Sequence, residues 1–137
     1  RHPWGDEVDD LRAIANVRDK SFSDVFGHDD RVPGAWDDGF PRTAPVGSFA
    51  PNNFGLYDMP GNVNERCQDW YAPYPSERQT DPKGPDAGQK RVIRGGHFRA
   101  QVYGCRPGTR AKAKSSLASP MVGFRVALDV SKKGESN

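Results

Sequence analysis

Residues 53–71 read NFGLYDMPGNVNERCQDWY. Asp58 and Glu65 are two carboxylates seven residues apart, and Pro60-Gly61-Asn62 between them is a turn signal. A loop that only joins two strands has no need of both acids. One reading is a metal site. The other reading is a polar turn pinned by hydrogen bonds, with no ion.

The bulk composition favours a folded domain rich in loops. The chain has 137 residues, enough for one core, with only 34% hydrophobic residues and a mean hydropathy of −0.84. Fifteen Gly and twelve Pro would suit a low-complexity chain, but three Trp, four Tyr and seven Phe are spread along it. These numbers exclude a helix bundle and predict a core resting on aromatics. No apolar run is long enough to span a bilayer, and no signal peptide is visible.

Charge divides the chain in two. Residues 1–89 hold 9 Lys and Arg against 16 Asp and Glu, a net −7; residues 90–137 hold 11 against 2, a net +9. The halves either pack by complementarity or separate a cation-binding part from a basic, partner-facing part. The basic half lacks the aromatic ladder of a nucleic-acid groove, so nucleic acid is not an expected partner.

Local patterns predict few regular elements. Leu11, Ile14 and Ala15 suggest a short helical turn within 8–16. Residues 20–45 read as a long loop punctuated by Gly27, Pro33, Gly34, Gly39 and Pro45. Residues 72–90 read as a surface loop, Arg91–Arg94 as a short strand stopped by Gly95-Gly96, and Gly123–Leu128 as a closing strand. Residues 97–120 are polar and irregular, and 131–137 read as a disordered tail.

Several stretches together resemble the formylglycine-generating-enzyme (sulfatase-modifying factor) family. They are PWGD (3–6), ANV (15–17), DGF (38–40) with TAPV (43–46), FGLYDMPGNV (54–63), RVIRGG (91–96) and GFRVAL (123–128). The resemblance implies an α+β, loop-rich variant of the C-type lectin fold over residues 1–130, with the N-terminal part of the family domain expected upstream. It also implies two calcium sites. One would use the Asp58 and Glu65 side chains with the Gly61 and Val63 carbonyls. The other would use the Asn16 and Asp38 side chains with the Val17 and Phe40 carbonyls. The family's Trp-Glu-Trp after GNV is Asn64-Glu65-Arg66 here, so the acid stays and both indoles are lost.

In catalytic members of the family a cysteine pair after the Gly-Gly binds copper and oxidises a substrate cysteine to formylglycine. Aligned on Gly95-Gly96, those positions hold Ala100 and Cys105. A lone thiolate cannot make a two-coordinate site for soft Cu(I), so no copper is expected. The resemblance to non-catalytic relatives instead implies a Cys67–Cys105 disulfide, or a close thiol pair in a reducing compartment. Such a bond would contribute about 3–4 kcal/mol. His2, His28 and His97 have no HxxxH spacing for an iron site, and Gly95-Gly96 lacks the Lys-Ser/Thr of a phosphate loop.

Between RVIRGG and GFRVAL the sequence departs from the family. A kept framework around unusual loop residues is how binding surfaces are built. The variable proteins of diversity-generating retroelements are similar in this respect. The resemblance implies a non-catalytic ligand-binding domain that displays residues 97–116 toward a protein or cell-surface ligand, outside the cell or on a virion or cell surface. The same module would also serve as a sensor domain beside a kinase. Candidate contact residues are His97, Phe98, Arg99, Gln101, Val102, Tyr103, Pro107, Thr109, Lys112 and Lys114. The alternative is a formylglycine-generating-type oxidase acting on a cysteine of a sulfatase-like substrate.

Overall fold

The structure, a computed structural model, describes residues 8–27 and 36–128, with side chains from Leu11 onward. PWGD, His2, His28 and the tail 131–137 lie outside the described residues. The chain opens with a 3-10 turn over Val8–Ala13, in the place where the spacing predicts a helical turn. Helix α1 follows at Lys20–Phe26. Four strands come next: β1 Asn64–Trp70, β2 Lys90–Arg94, β3 Ala111–Lys114 and β4 Val122–Gly123. A second 3-10 turn, Val102–Cys105, sits between β2 and β3. Among the described residues no helix is long and apolar enough to cross a membrane.

Helix α1 lies inside the stretch expected to be loop. Its start signal is Asp19, whose side chain accepts from Phe22 N at 3.0 Å and from the Ser21 hydroxyl at 2.7 Å. Gly27, at φ +100°, ends it. Seven residues are too few to fold alone. The helix is held because Phe22 is buried against Phe98, with ring centroids 6.5 Å apart.

The strands form one mixed sheet in the order β3-β2-β1-β4. β1 pairs antiparallel with β2, Glu65 opposite Arg94, and parallel with β4, Asn64 opposite Val122. β2 pairs antiparallel with β3 over four positions. β1 and β3 carry few β-branched residues and are strands through pairing alone. The closing strand is shorter than its pattern predicts and stops at Gly123. Beyond it Phe124, Val126 and Leu128 are 78%, 82% and 84% exposed, because no described strand lies beside them.

One apolar cluster holds Leu11, Ala15, Val17, Trp36 and Cys105, with Ile14, Ala100 and Val102 against it, and Phe22, Phe98, Phe49, Val92 and Ile93 are buried outside it. Polar groups run through this interior. Asn62, 7% exposed, accepts from Ala44 N at 2.9 Å and donates back to the Ala44 carbonyl at 3.2 Å. Asn62 N donates to the Asn16 carbonyl at 2.7 Å, and Phe98 N donates to the Asn62 carbonyl at 2.9 Å. Asn16, fully buried, donates to the Arg42 carbonyl at 2.7 Å. One turn thus ties four segments together.

Gly61 makes that closeness possible. A Cβ there would lie 2.1 Å from the Asn16 carbonyl oxygen, and its φ is +81°. Gly61→Ala is expected to cost about 3 kcal/mol through overlap and backbone strain. Gly108→Ala, at an open position with ordinary φ, is expected to stay near wild type. Thermal melts of the two variants check this.

Candidate binding surface and cation sites

The segment after β2 is strapped to the core before it reaches solvent. Gly61 N donates to the Gly95 carbonyl at 2.7 Å, and Arg18 N donates to the Ala100 carbonyl at 3.0 Å. Gly96 lies against Cys105, where a Cβ would meet the Cys105 Sγ at 2.4 Å. Arg94 then staples the outer loop. Its Nη2 donates to the Pro107 carbonyl at 2.9 Å and its Nη1 to the Thr109 carbonyl at 3.3 Å. The Tyr103 carbonyl accepts from Arg106 Nε at 3.0 Å and from the Thr109 hydroxyl at 3.3 Å. The loop's shape is therefore set by main-chain acceptors bonded to Arg94, Arg106 and Thr109, not by the Tyr103 or Pro107 side chains.

The ten candidate contact residues divide by burial. Phe98 is 6% exposed and packs on Phe22, and Val102 packs on the apolar core, so both serve the scaffold. Gln101 and Thr109 are half-buried. His97 is half-buried too, and burial, with Arg99 and Arg18 nearby, holds its imidazole below the usual range. It is neutral at pH 7, and its Nδ1 accepts from Arg99 N at 3.2 Å. Arg99, Tyr103, Pro107, Lys112 and Lys114 are exposed. Tyr103 offers the largest apolar area among them, at 61% exposure.

The carboxylate turn that opens the sequence reading forms a real concavity. Asp58, Gly61, Val63 and Glu65 line one cavity of about 420 Å³. Asp58 sits at φ +53° and its Oδ2 accepts from Gly47 N at 2.6 Å, while its buried Oδ1 has no partner. Arg125 reaches into the same cavity. Its Nη2 lies 2.5 Å from Glu65 Oε1, 3.0 Å from the Tyr57 carbonyl and 3.3 Å from the Asp58 carbonyl. Sequence reasoning missed Arg125, although it is the arginine of the GFRVAL stretch.

The second oxygen cluster is also brought together. Asp38 accepts from Phe40 N at 2.8 Å and from Val17 N at 3.2 Å. Asp38 N donates to Asp19 Oδ2. Asn16 Oδ1 is buried without a partner. Burial, and then the neighbouring Asp19 charge, push the Asp38 carboxyl up to about 7 against the pull of the two backbone donors. Among the described residues no three His, Cys, Asp or Glu side chains converge. A cation at either place would rest on amide and main-chain oxygens as well as carboxylates, and the two orphaned oxygens fit a hard, oxygen-seeking ion.

Both cysteines are free thiols, so the expected disulfide is not formed. They line one cavity of about 670 Å³ with Ile14, Met59 and Arg94. Cys105 is 3% exposed and packed on Gly96, and burial pushes its thiol up to about 12. Burial also raises Cys67, on β1. Neither is a thiolate at neutral pH. Ala100, the other position of the family's cysteine pair, packs on the apolar core.

Residues 1–130 match the family described as the sulfatase-modifying factor enzyme 1-like domain, and the chain belongs to that family. It is 35% identical to a formylglycine-generating enzyme of Thermomonospora curvata over 94% of its own length and 43% of that enzyme's. Among solved structures it is similar to Treponema denticola variable protein 1, at a TM-score of 0.66 and 27% identity, covering 88% of this chain and 37% of that one. PvdO from Pseudomonas aeruginosa gives a TM-score of 0.58 and 30% identity, with coverages of 82% and 38%. The chain spans less than half the length of these relatives. The fold is the loop-rich, lectin-like one of this family.

The raised Asp38 carboxyl has a pH signature. Its ordinary value is 3.8 and its folded value about 7, so between them the folded state holds a proton that the unfolded state has released. Stability of the metal-free protein is therefore expected to fall as pH rises from about 4 to about 7. Denaturant melts across that range check this, and Asp38→Asn should flatten the slope.

Proposed function

We propose that this chain is a non-catalytic ligand-binding domain whose displayed surface is the 97–116 segment, of the retroelement-diversified type. The observation that carries the reading is the division within that segment. Phe98, Val102 and Cys105 are built into the interior, while Arg99, Tyr103 and Pro107 face out on a loop that Arg94 braces at 107–109, and Lys112 and Lys114 face out on β3. Side chains of the second group can change without moving the backbone. The likeness to a variable protein supports the same reading. So does the thiol chemistry: Ala100 supplies no sulfur, and Cys105 is buried and protonated. The ligand would be a protein or a cell-surface molecule, met outside the cell or on a virion or cell surface.

Two measurements test it. Incubation with copper, oxygen and a sulfatase-type cysteine peptide is expected to leave the peptide thiol unchanged by mass spectrometry; conversion to an aldehyde would overturn the binding reading in favour of the oxidase. Sequencing codons 91–127 from many individuals of the source population is expected to find substitutions at the outward positions, with 91–96 and 123–128 constant. An unvarying segment would remove the diversified form of the proposal.

In this reading calcium is structural. Asp58 and Glu65 with the Gly61 and Val63 carbonyls would hold one ion, and Asn16 and Asp38 with the Val17 and Phe40 carbonyls the other. Calcium would fix loops that the small apolar core cannot fix. Saturating calcium is expected to raise stability by about 2–3 kcal/mol per site at a hundredfold excess over Kd. Asp58→Ala should remove part of the rise and Asp38→Ala another part. A melting temperature indifferent to chelator would refute the ion.

A further inference from the structure

Strand β3 carries a charge arrangement that the fold does not explain. Lys90 on β2 stands directly opposite Lys114 on β3, and Val92 stands opposite Lys112. Opposed residues share a face, so Lys90, Lys112 and Lys114 project from the same side of the sheet. The Lys90 carbonyl accepts from Tyr71 N at 2.8 Å, which turns the main-chain groups of Lys90 toward β1. Lys90 and Lys114 are thus a non-hydrogen-bonded pair, the closer of the two antiparallel spacings. Like charges so placed repel. Lys112 Nζ lies over the Tyr71 ring at 4.8 Å, but none of the three lysines has a carboxylate partner among the described residues.

Lysines on an exposed edge are a common guard against unwanted strand pairing. That explains Lys112 and Lys114, because β3 ends the sheet. It does not explain Lys90, which lies on an interior strand. The edge is also unusually well held. Arg110, just before β3, lies over the Tyr74 ring at 3.5 Å and donates to the Ala72 carbonyl at 2.6 Å. Arg66 donates to the Ser115 and Leu117 carbonyls just after it, at 2.6 and 2.8 Å. By the same alternation that turns Lys90 toward β1, Lys112 turns its N–H and C=O to the open edge.

We infer that β3 is a docking edge for an extended acidic peptide segment of a protein partner, added as a further strand with carboxylates at every second residue. Main-chain bonds to Lys112 align it, and carboxylates spaced two residues apart meet Lys112 and Lys114 with Lys90 behind them. The incoming charge relieves the repulsion between the opposed lysines, and the same repulsion rejects a second copy of the edge. The inference rests on the reading of the chain as a binding domain and names the partner chemistry of one part of that surface. The oxidase assay and the codon survey judge that reading without any peptide, so the two can fail separately.

The test uses the full chain and a blocked peptide of about six residues alternating Thr and Glu. Controls are a peptide of the same composition with its Glu in one block, and a heparin oligosaccharide as a polyanion without a peptide backbone. Expected are binding of the alternating peptide at low salt, slowed hydrogen exchange at the Lys112 amide, and about tenfold weaker binding of the block peptide. Lys90→Glu is expected to weaken the alternating peptide by about tenfold while raising the Tm of the free protein by about 1–4 °C. Equal binding of the two peptides overturns strand addition. So does heparin binding tighter than the alternating peptide without Lys112 protection. No peptide binding at low salt, or a lowered Tm in the folded Lys90→Glu protein, overturns the proposal outright.

Discussion

The structure depends on one polar contact, the hydrogen-bonded meeting of the Asn16 and Asn62 segments across Gly61. Asn62 pairs with both main-chain groups of Ala44, with the Asn16 carbonyl and with Phe98 N. Twelve buried hydrophobic residues among those described cannot fix so much irregular chain by area alone. A buried amide bonded through both its oxygen and its nitrogen, as Asn62 is, can, because each alternative loop position leaves a further donor or acceptor unsatisfied in a dry place. The left-handed turn at Gly61 and Asn62, at φ +81° and +59°, is the local strain this contact requires.

That knot sets the geometry of everything around it. On one side it holds Asp58 and Glu65 around a cavity, where Arg125 now supplies the positive charge. On another it holds Asn16 and Val17 beside Asp38. On a third it places Phe98 and Gly96, and so fixes where the 97–116 segment leaves the core. The two oxygen clusters and the 97–116 segment share one support. A cation that stiffens the first two would stiffen the third without touching any ligand.

The split between the two halves in charge takes a spatial form as well. Arginines of the basic half turn inward to main-chain carbonyls or rest on aromatic rings: Arg94 on the 107–109 loop, Arg91 over Trp70 at 3.3 Å and Arg110 over Tyr74. Lysines are left outward. A guanidinium satisfies several acceptors at once and tolerates a ring face, whereas an ammonium prefers water. The scaffold thus uses Arg as a staple, while on β3 Lys112 rests over the Tyr71 ring at 4.8 Å and Lys114 has no carboxylate partner among the described residues.

The sequence by itself determined the family, the loop-rich lectin-like class and the strand at 91–94. These rest on short motifs whose meaning is local: a turn, a Gly-Gly stop, an acid beside a turn. Helix α1 was legible only as the Asp19 cap, because seven residues have no periodicity to read. Strands β1 and β3 were not legible, since NERCQDW and AKAK become strands only by pairing with β2. Tertiary structure alone decided which loop residues face out. Phe98 and Val102 look like contact residues in the sequence and face inward because Phe22 and the cluster of Leu11 and Trp36 lie against them. It also decided that Arg125 meets Glu65, sixty residues away, and that Lys90 meets Lys114. Pairing across such separations is set by register and by the packing of distant turns, which no local pattern of side chains encodes.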